Sequence, residues 1–210
     1  MKLDYTVLSD RLKQPLPGPI AHEPLRAVPS GLIKPRFEHR SPAKPGSVLI
    51  LLYEEKGQVM FPLTKRPEYL GTHGGQISLP GGKTEGAETR IETALREAEE
   101  EIGVPASKVQ ILGLLTEFFV IPSNFLITPV IGYLNEVPDF KPDSKEVKKI
   151  IYTSLNDLLR DGAVQTKEIM AGNMFPMSAP HFEIENEIVW GATAMMLNEF
   201  RMVVREIVSV

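Results

Sequence analysis

The chain has 210 residues, 23 of them Lys or Arg and 27 Asp or Glu, for a formal charge of −4 at pH 7, and it has no cysteine. With 42% hydrophobic and 24% charged residues the composition is that of an ordinary globular chain, long enough to bury a core without staples. These values exclude a disordered chain, a disulfide framework and a thiolate metal site, and mild acidity without a basic stripe argues against nucleic acid as a partner.

The N-terminus, MKLDYTVLSD, lacks the apolar stretch of a signal peptide, and no apolar run reaches the roughly 18–20 residues that span a bilayer. The expectation is a cytoplasmic protein with no membrane partner. Residues 1–46 carry eight of the 18 prolines. Proline fixes φ and removes a donor, so long regular elements are not expected there beyond a short amphipathic helix over 3–13. The rest of this extension reads either as an ordered wrap or as a tether, and the domain proper is expected over 47–210.

Residues 47–54 (SVLILLYE) read as a buried strand and 58–66 as its partner across a turn at Lys56-Gly57. The glycine-rich stretch 67–86 reads as a long loop, a length usually kept for function. A helix over about 90–102 follows. Thr89 and Glu92 form a capping-box pair at its start, and Gly103 stands where the helix should end. Strands are expected over 109–119 and 125–134, with Pro129 placing the second at an edge or a bulge. Residues 146–155 read as a strand leading into a short helix, 183–190 as one more strand, and 192–208 as a helix. Strands interspersed with helices predict a mixed α/β or α+β fold.

The helix over 90–102 holds the chemistry. At 100° per residue, Ile91, Ala94, Leu95, Ala98 and Ile102 fall within about 60° of one line and form a core stripe. Glu97, Glu100 and Glu101 gather on another face at i, i+3, i+4 spacing. Like charges so placed repel by a few tenths of a kcal/mol per pair, which calls for something to offset them. A solvated surface does so, and so does a hard divalent cation, since carboxylates are preferred ligands of Mg²⁺ and Mn²⁺. By spacing alone, Arg96 reads as a surface partner of Glu92 or Glu100. A phosphate-cradling loop ending at Gly82-Lys83-Thr84 is ruled out, because Ile77 stands where its first glycine is required.

The spacing Gly82, five residues, Glu88, seven residues, Arg96-Glu97-Ala98-Glu99-Glu100-Glu101-Ile102-Gly103-Val104 resembles the box of the Nudix hydrolases in every constrained position. That resemblance implies a mixed β-sheet sandwiched between helices, and hydrolysis of a nucleoside diphosphate linked to a further group. It implies Glu97 and Glu101 as the main metal ligands and Glu100 as a further ligand or the group orienting the attacking water. It implies Arg96, with Glu88, as the brace of the array, and the Gly82 carbonyl as a further ligand. Mg²⁺ or Mn²⁺ would be the cofactor, and a small dinucleotide-like molecule the substrate. A second copy of the chain is a candidate partner.

Residues 63–82, LTKRPEYLGTHGGQISLPGG, resemble the signature upstream of the box in coenzyme A diphosphatases, through Leu63-Thr64-Lys65-Arg66, His73-Gly74-Gly75-Gln76 and Pro80-Gly81-Gly82. Pro67 and Leu79 depart from it, standing where Ser and Phe are usual. The resemblance implies Arg66, Gly75, Gln76 and Gly81 at the substrate. For Arg66 a grip on phosphate and strand-end exposure are equal readings, whereas strand-end exposure for Lys65 and loop bracing for His73 are preferred to substrate contact. Phe118, Phe119 and Phe125 read as core or as the border of a base pocket, and Glu146 as a supporting base or an exposed glutamate. Coenzyme A is the leading substrate, an ADP-ribose or NADH-type dinucleotide the alternative. A non-catalytic Nudix-fold ligand sensor is the reading from another class.

Overall fold

In a computed structural model the described residues are 3–32, 36–68, 74–172 and 175–208. In chain order they form α1 (Tyr5–Leu12), α2 (Pro19–His22), β1 (Val28–Pro29), β2 (Lys44–Glu55), β3 (Gln58–Lys65), β4 (Ile77–Ser78), β5 (Gly81–Lys83) and α3 (Arg90–Ile102). There follow β6 (Gln110–Leu114), β7 (Phe118–Val120), β8 (Phe125–Leu134), β9 (Lys149–Ser154), α4 (Leu155–Leu159), β10 (Val164–Ala171), β11 (Phe175–Ile184), β12 (Glu187–Trp190) and α5 (Gly191–Val208).

The central sheet is mixed and has eight strands, ordered β4-β3-β2-β8-β6, with β5 on β2, β7 on β8 and β9 on β3. Strand β2 alternates strictly. Its Val48, Ile50 and Leu52 face one core with α1 and α5, while Leu49, Leu51 and Tyr53 face a second core with Ala94, Ala98 and Ile102 of α3. The sheet is therefore covered on both faces, which explains why residues 48–53 are buried without a polar face. The predicted sandwich is the architecture found. No helix among the described residues is long and apolar enough to cross a membrane.

Three expectations need correction. Pro129 lies in β8, a central strand, paired with Val48 on one side. The sheet tolerates it because the other edge of β8 is broken there: β7 pairs with residues 125–127, β6 with 130–133, and between them the Leu115 amide donates to the Pro129 carbonyl at 2.9 Å. The missing proline N–H faces that gap. The run 109–119 is accordingly two strands, β6 and β7. The single strand expected over 183–190 is two arms of a hairpin, turned at Glu185 and Asn186, both with positive φ. With β1 and β10 these arms make a second, antiparallel sheet.

The N-terminal segment is a wrap where it is described. Asp4 caps α1, and Leu3, Leu8, Leu12 and Leu25 are buried in the core shared with α5. Each such leucine contributes on the order of 2 kcal/mol. Glu199 of α5, fully buried, fastens the segment: it accepts from the Gly18 amide at 3.0 Å and the Thr116 hydroxyl at 2.6 Å, and bonds the His22 ring at 3.0 Å. Burial pushes its pKa up, but the bonds from His22, Thr116 and Gly18 outweigh burial and hold it below the usual carboxylate range. Glu199→Gln keeps the shape and removes the charge. It should cost about 2 kcal/mol, a fall in Tm on the order of 4–8 °C by calorimetry; an unchanged Tm would contradict this account of the fastening.

Candidate active site

Helix α3 starts at Thr89, whose side chain accepts from the Glu92 amide while the Glu92 carboxylate accepts from the Thr89 amide, the reciprocal cap expected from sequence. It ends at Gly103 in the left-handed conformation. Its apolar stripe docks on Leu49, Leu51 and Tyr53 of β2 and on Val130 and Leu134 of β8, and this fixes which way each glutamate points.

Arg96 is the hub of the outer half. Its Nε donates to Glu88 Oε1 at 2.6 Å, Nη1 to Glu100 Oε2 at 2.9 Å and Nη2 to the Lys83 carbonyl at 3.0 Å, and Nη2 lies 3.0 Å from Glu97 Oε1. Glu88 is pulled down to a pKa of about 2, first by its bond from Arg96 and then by the Glu85 amide. Arg96 is held still more firmly protonated, chiefly by Glu88. The two readings of Arg96 thus describe one geometry, since it is both a partner of Glu100 and the link among Glu88, Glu97 and Lys83.

The inner half is different in kind. Glu101 is 3% exposed. Burial lifts its pKa to about 7, against the pull of Arg66 and the Gly81 N–H, and the nearby Glu97 and Glu146 charges add to the rise. Its Oε2 accepts from the Gly81 amide at 3.2 Å, and Arg66 Nη2 stands 3.7 Å from its Oε1. Glu97 is also raised, first by burial, with Arg96 opposing and Glu100 and Glu146 adding. Its carboxyl group lies over Gly82, so close that a Cβ there would stand 2.5 Å from the carboxyl carbon. A side chain at 82 would therefore push the Glu97 carboxylate out of this position. Glu100 points outward, its side chain 58% exposed.

The Arg66 amide donates to the Gln76 carbonyl at 3.0 Å and the Gly75 amide to the Pro67 carbonyl at 3.3 Å, closing the base of the glycine-rich loop beside Arg66. Gly81 and Gly82 lie in β5, in register with Val48 and Ser47. His73 lies outside the described residues. Lys65 is neither free nor at the carboxylates, being bound through both oxygens of Glu187 at 2.8 and 2.9 Å. Leu79, one of the two departures from the upstream signature, is 1% exposed and belongs to the α5 core. Phe118 and Phe125 pack against that core, while Phe119 is exposed. Glu146 is exposed, yet its charge is felt by both Glu97 and Glu101.

Among the described residues no three His, Cys, Asp or Glu side chains already converge to hold a metal ion. The donor set nevertheless fits one. Glu97 and Glu101 are carboxylates with raised pKa values, near each other and near Glu146, so their charges are under-compensated. Each has one arginine beside it, Arg96 at 3.0 Å from Glu97 and Arg66 at 3.7 Å from Glu101. A hard divalent cation is the partner such oxygens favour.

The family model described as NUDIX domain matches residues 43–172. Nudix hydrolase 3 of Caenorhabditis elegans is 31% identical over 73% of this chain and 70% of its own length. A Nudix hydrolase, NudL, of Yersinia enterocolitica is 35% identical over 64% of this chain and 69% of its own. The mouse peroxisomal coenzyme A diphosphatase NUDT7 is 33% identical over 64% of this chain and 56% of its own. Among solved structures, the Nudix hydrolase RenU of M. smegmatis matches with a TM-score of 0.53 at 17% identity, covering 80% of this chain and 88% of that one, a likeness of fold.

Proposed function

The chain belongs to the Nudix hydrolase family, and on that premise we propose that it is a divalent-cation-dependent diphosphatase acting on coenzyme A or a derivative of it. The products would be 3′-phosphoadenosine 5′-phosphate and 4′-phosphopantetheine, or an acylated form of the latter. The observation that carries the chemistry is the pair of carboxylates at Gly81-Gly82, the buried Glu101 and the half-buried Glu97. The upstream signature and the 33% identity to a coenzyme A diphosphatase support the substrate.

In this reading Glu97 and Glu101 hold Mg²⁺ or Mn²⁺, with the Gly82 carbonyl and Glu100 as further donors. Bound there, the cation would supply positive charge for the diphosphate oxygens and acidity for a water. Arg96, fixed by Glu88 and the Lys83 carbonyl, sets the positions of Glu97 and Glu100. Arg66, a flexible ion-pair length from Glu101, turns to the substrate's anionic oxygens, with Gly75, Gln76 and Gly81 beside it. Glu100 or Glu146 takes the proton of the attacking water. The water oxygen bonds to one phosphorus, the bridging P–O bond breaks, and two phosphate monoesters and a proton leave. The Leu79 departure weighs little against coenzyme A, because that side chain fills the core and not the site. We infer in addition a cytoplasmic location, and a division into an extension of residues 1–46 and a catalytic domain of 47–210, the extension being integral to the fold through α1.

The test is incubation of the purified protein with Mg²⁺ and, separately, coenzyme A, dephospho-coenzyme A, ADP-ribose and NADH, followed by separation of products. Cleavage of coenzyme A, weaker for the form lacking the 3′-phosphate, is expected. Faster cleavage of ADP-ribose or NADH would discard coenzyme A and keep the carboxylate chemistry. Binding of these molecules without cleavage would move the reading to a ligand sensor.

A further inference from the structure

Ser47 has no part in the box or in the upstream signature. It lies on β2 in register with Gly82 of β5 on one side and Thr128 of β8 on the other. By the alternation that sends Leu49 and Leu51 toward α3, the Ser47 side chain points to the α3 face. Gly82, Ser47 and Thr128 thus form a row across three strands beneath the helix, and the Glu97 carboxylate covers the Gly82 end of it.

Polar neighbours of the row are satisfied. The Thr128 hydroxyl donates to Glu117 Oε1 at 3.3 Å, and Glu117 is paired with Arg90 at the start of α3. Thr93, the buried hydroxyl of α3, bonds Glu88, Thr84 and the Thr89 carbonyl. Ser47 is fully buried and its hydroxyl has no partner among the described residues. An orphaned buried hydroxyl costs about 1–3 kcal/mol. The nearest row position, one strand spacing or about 4.8 Å away, carries a carboxylate whose one oxygen is drawn to Arg96. A rotation of that carboxylate, or a single bridging water, spans the gap.

We propose that Ser47 is a positioning residue for the cation site: its hydroxyl donates to Glu97, directly or through one water, when Glu97 turns from Arg96 to serve a divalent cation. The proposal rests on the reading of Glu97 as a ligand. A hydroxyl that anchors the free lobe of a ligating carboxylate fixes its orientation, and loss of such support typically weakens metal binding by 10- to 100-fold. A fully buried hydroxyl without a partner is otherwise a liability, since alanine would sit there without an unmet donor.

The experiment is a Mn²⁺ titration of the full chain by calorimetry or by the electron paramagnetic resonance of free Mn²⁺, with thermal melts of the metal-free proteins. Ser47→Ala should raise the Mn²⁺ dissociation constant roughly 10- to 100-fold while leaving the metal-free Tm equal or higher. Ser47→Thr, which keeps the hydroxyl on a strand-favouring side chain, should restore affinity. Unchanged Mn²⁺ affinity in Ser47→Ala overturns the proposal. So does a metal-free Tm that falls in step with affinity and is not rescued by threonine, because that is the signature of packing alone. Glu97→Gln runs beside them: if it binds Mn²⁺ as the native chain does, the ligand reading itself has failed.

Discussion

Glu101→Gln should abolish turnover, lowering kcat by at least 10³-fold, about 4 kcal/mol of transition-state stabilisation, while the protein stays folded. The substitution is isosteric. It removes one negative charge from a site whose proposed task is to gather positive charge at a diphosphate. Glutamine still presents an oxygen to the Gly81 amide, so the contact that places the side chain survives. Glu100→Gln, on a side chain 58% exposed and outside that pocket, should cost less than Glu101→Gln. Equal losses in the two variants, or more than a tenth of native activity in Glu101→Gln, would contradict the assignment.

The same substitution has an opposite effect on stability. Burial raises the Glu101 pKa from 4.5 to about 7. A carboxyl raised on folding stabilises the fold in its protonated form, fully below about pH 4.5, and this contribution is lost as pH climbs through 7. The loss is on the order of 3 kcal/mol. Glutamine does not titrate. The metal-free variant should therefore gain on the metal-free native chain between pH 4.5 and 7 and be the more stable of the two at pH 8. Added Mg²⁺ should stabilise the native chain far more than the variant. Parallel denaturation midpoints across that range would refute the raised pKa. A group that weakens the empty fold and serves the loaded one is what strain at a functional site predicts.

The box helix was legible in sequence because every signal for it is local. Thr89 and Glu92 cap it, Gly103 ends it, and Ile91, Ala94, Ala98 and Ile102 draw its buried stripe. Periodicity placed Glu97, Glu100 and Glu101 on one side of the helix, but the differences among them belong to the sheet. Glu101 is buried because β5 supplies the Gly81 amide above it, and Glu97 is half-buried because residue 82 has no side chain. No count along the chain shows either contact. Pro129 was misread for a related reason: the rule that bars proline from central strands acts through a missing donor, and here the edge it faces is interrupted between β6 and β7. Strand β10 escaped notice because most of its residues are exposed, so it has no hydrophobic alternation to read. Ser47 was invisible as well, since a lone serine in an apolar run acquires meaning only from what lies across it.

Gly81→Ala should be the most damaging single-methyl change in the site. Gly81 has φ 153°, and a Cβ there would stand 2.6 Å from the Val48 Cα and closer still to the Ser47 carbonyl oxygen. These are backbone atoms of the central strand, with no side-chain end to swing away. The three-residue strand β5 must then leave β2, and with it go the Gly81 amide that Glu101 accepts from and the Gly82 surface under Glu97. The expected cost exceeds about 3 kcal/mol, a Tm lower by roughly 6–12 °C, with activity lost even in molecules that remain folded. Gly57→Ala is the control. It has φ 75° but nothing within 4 Å of the added carbon, so it bears the backbone penalty alone, on the order of 1 kcal/mol, and should keep its activity. If the two variants melt together, contact with β2 is not what holds β5. If Gly81→Ala melts early yet turns over normally, the Gly81 amide is not what places Glu101, and Arg66 must be doing so from the other side.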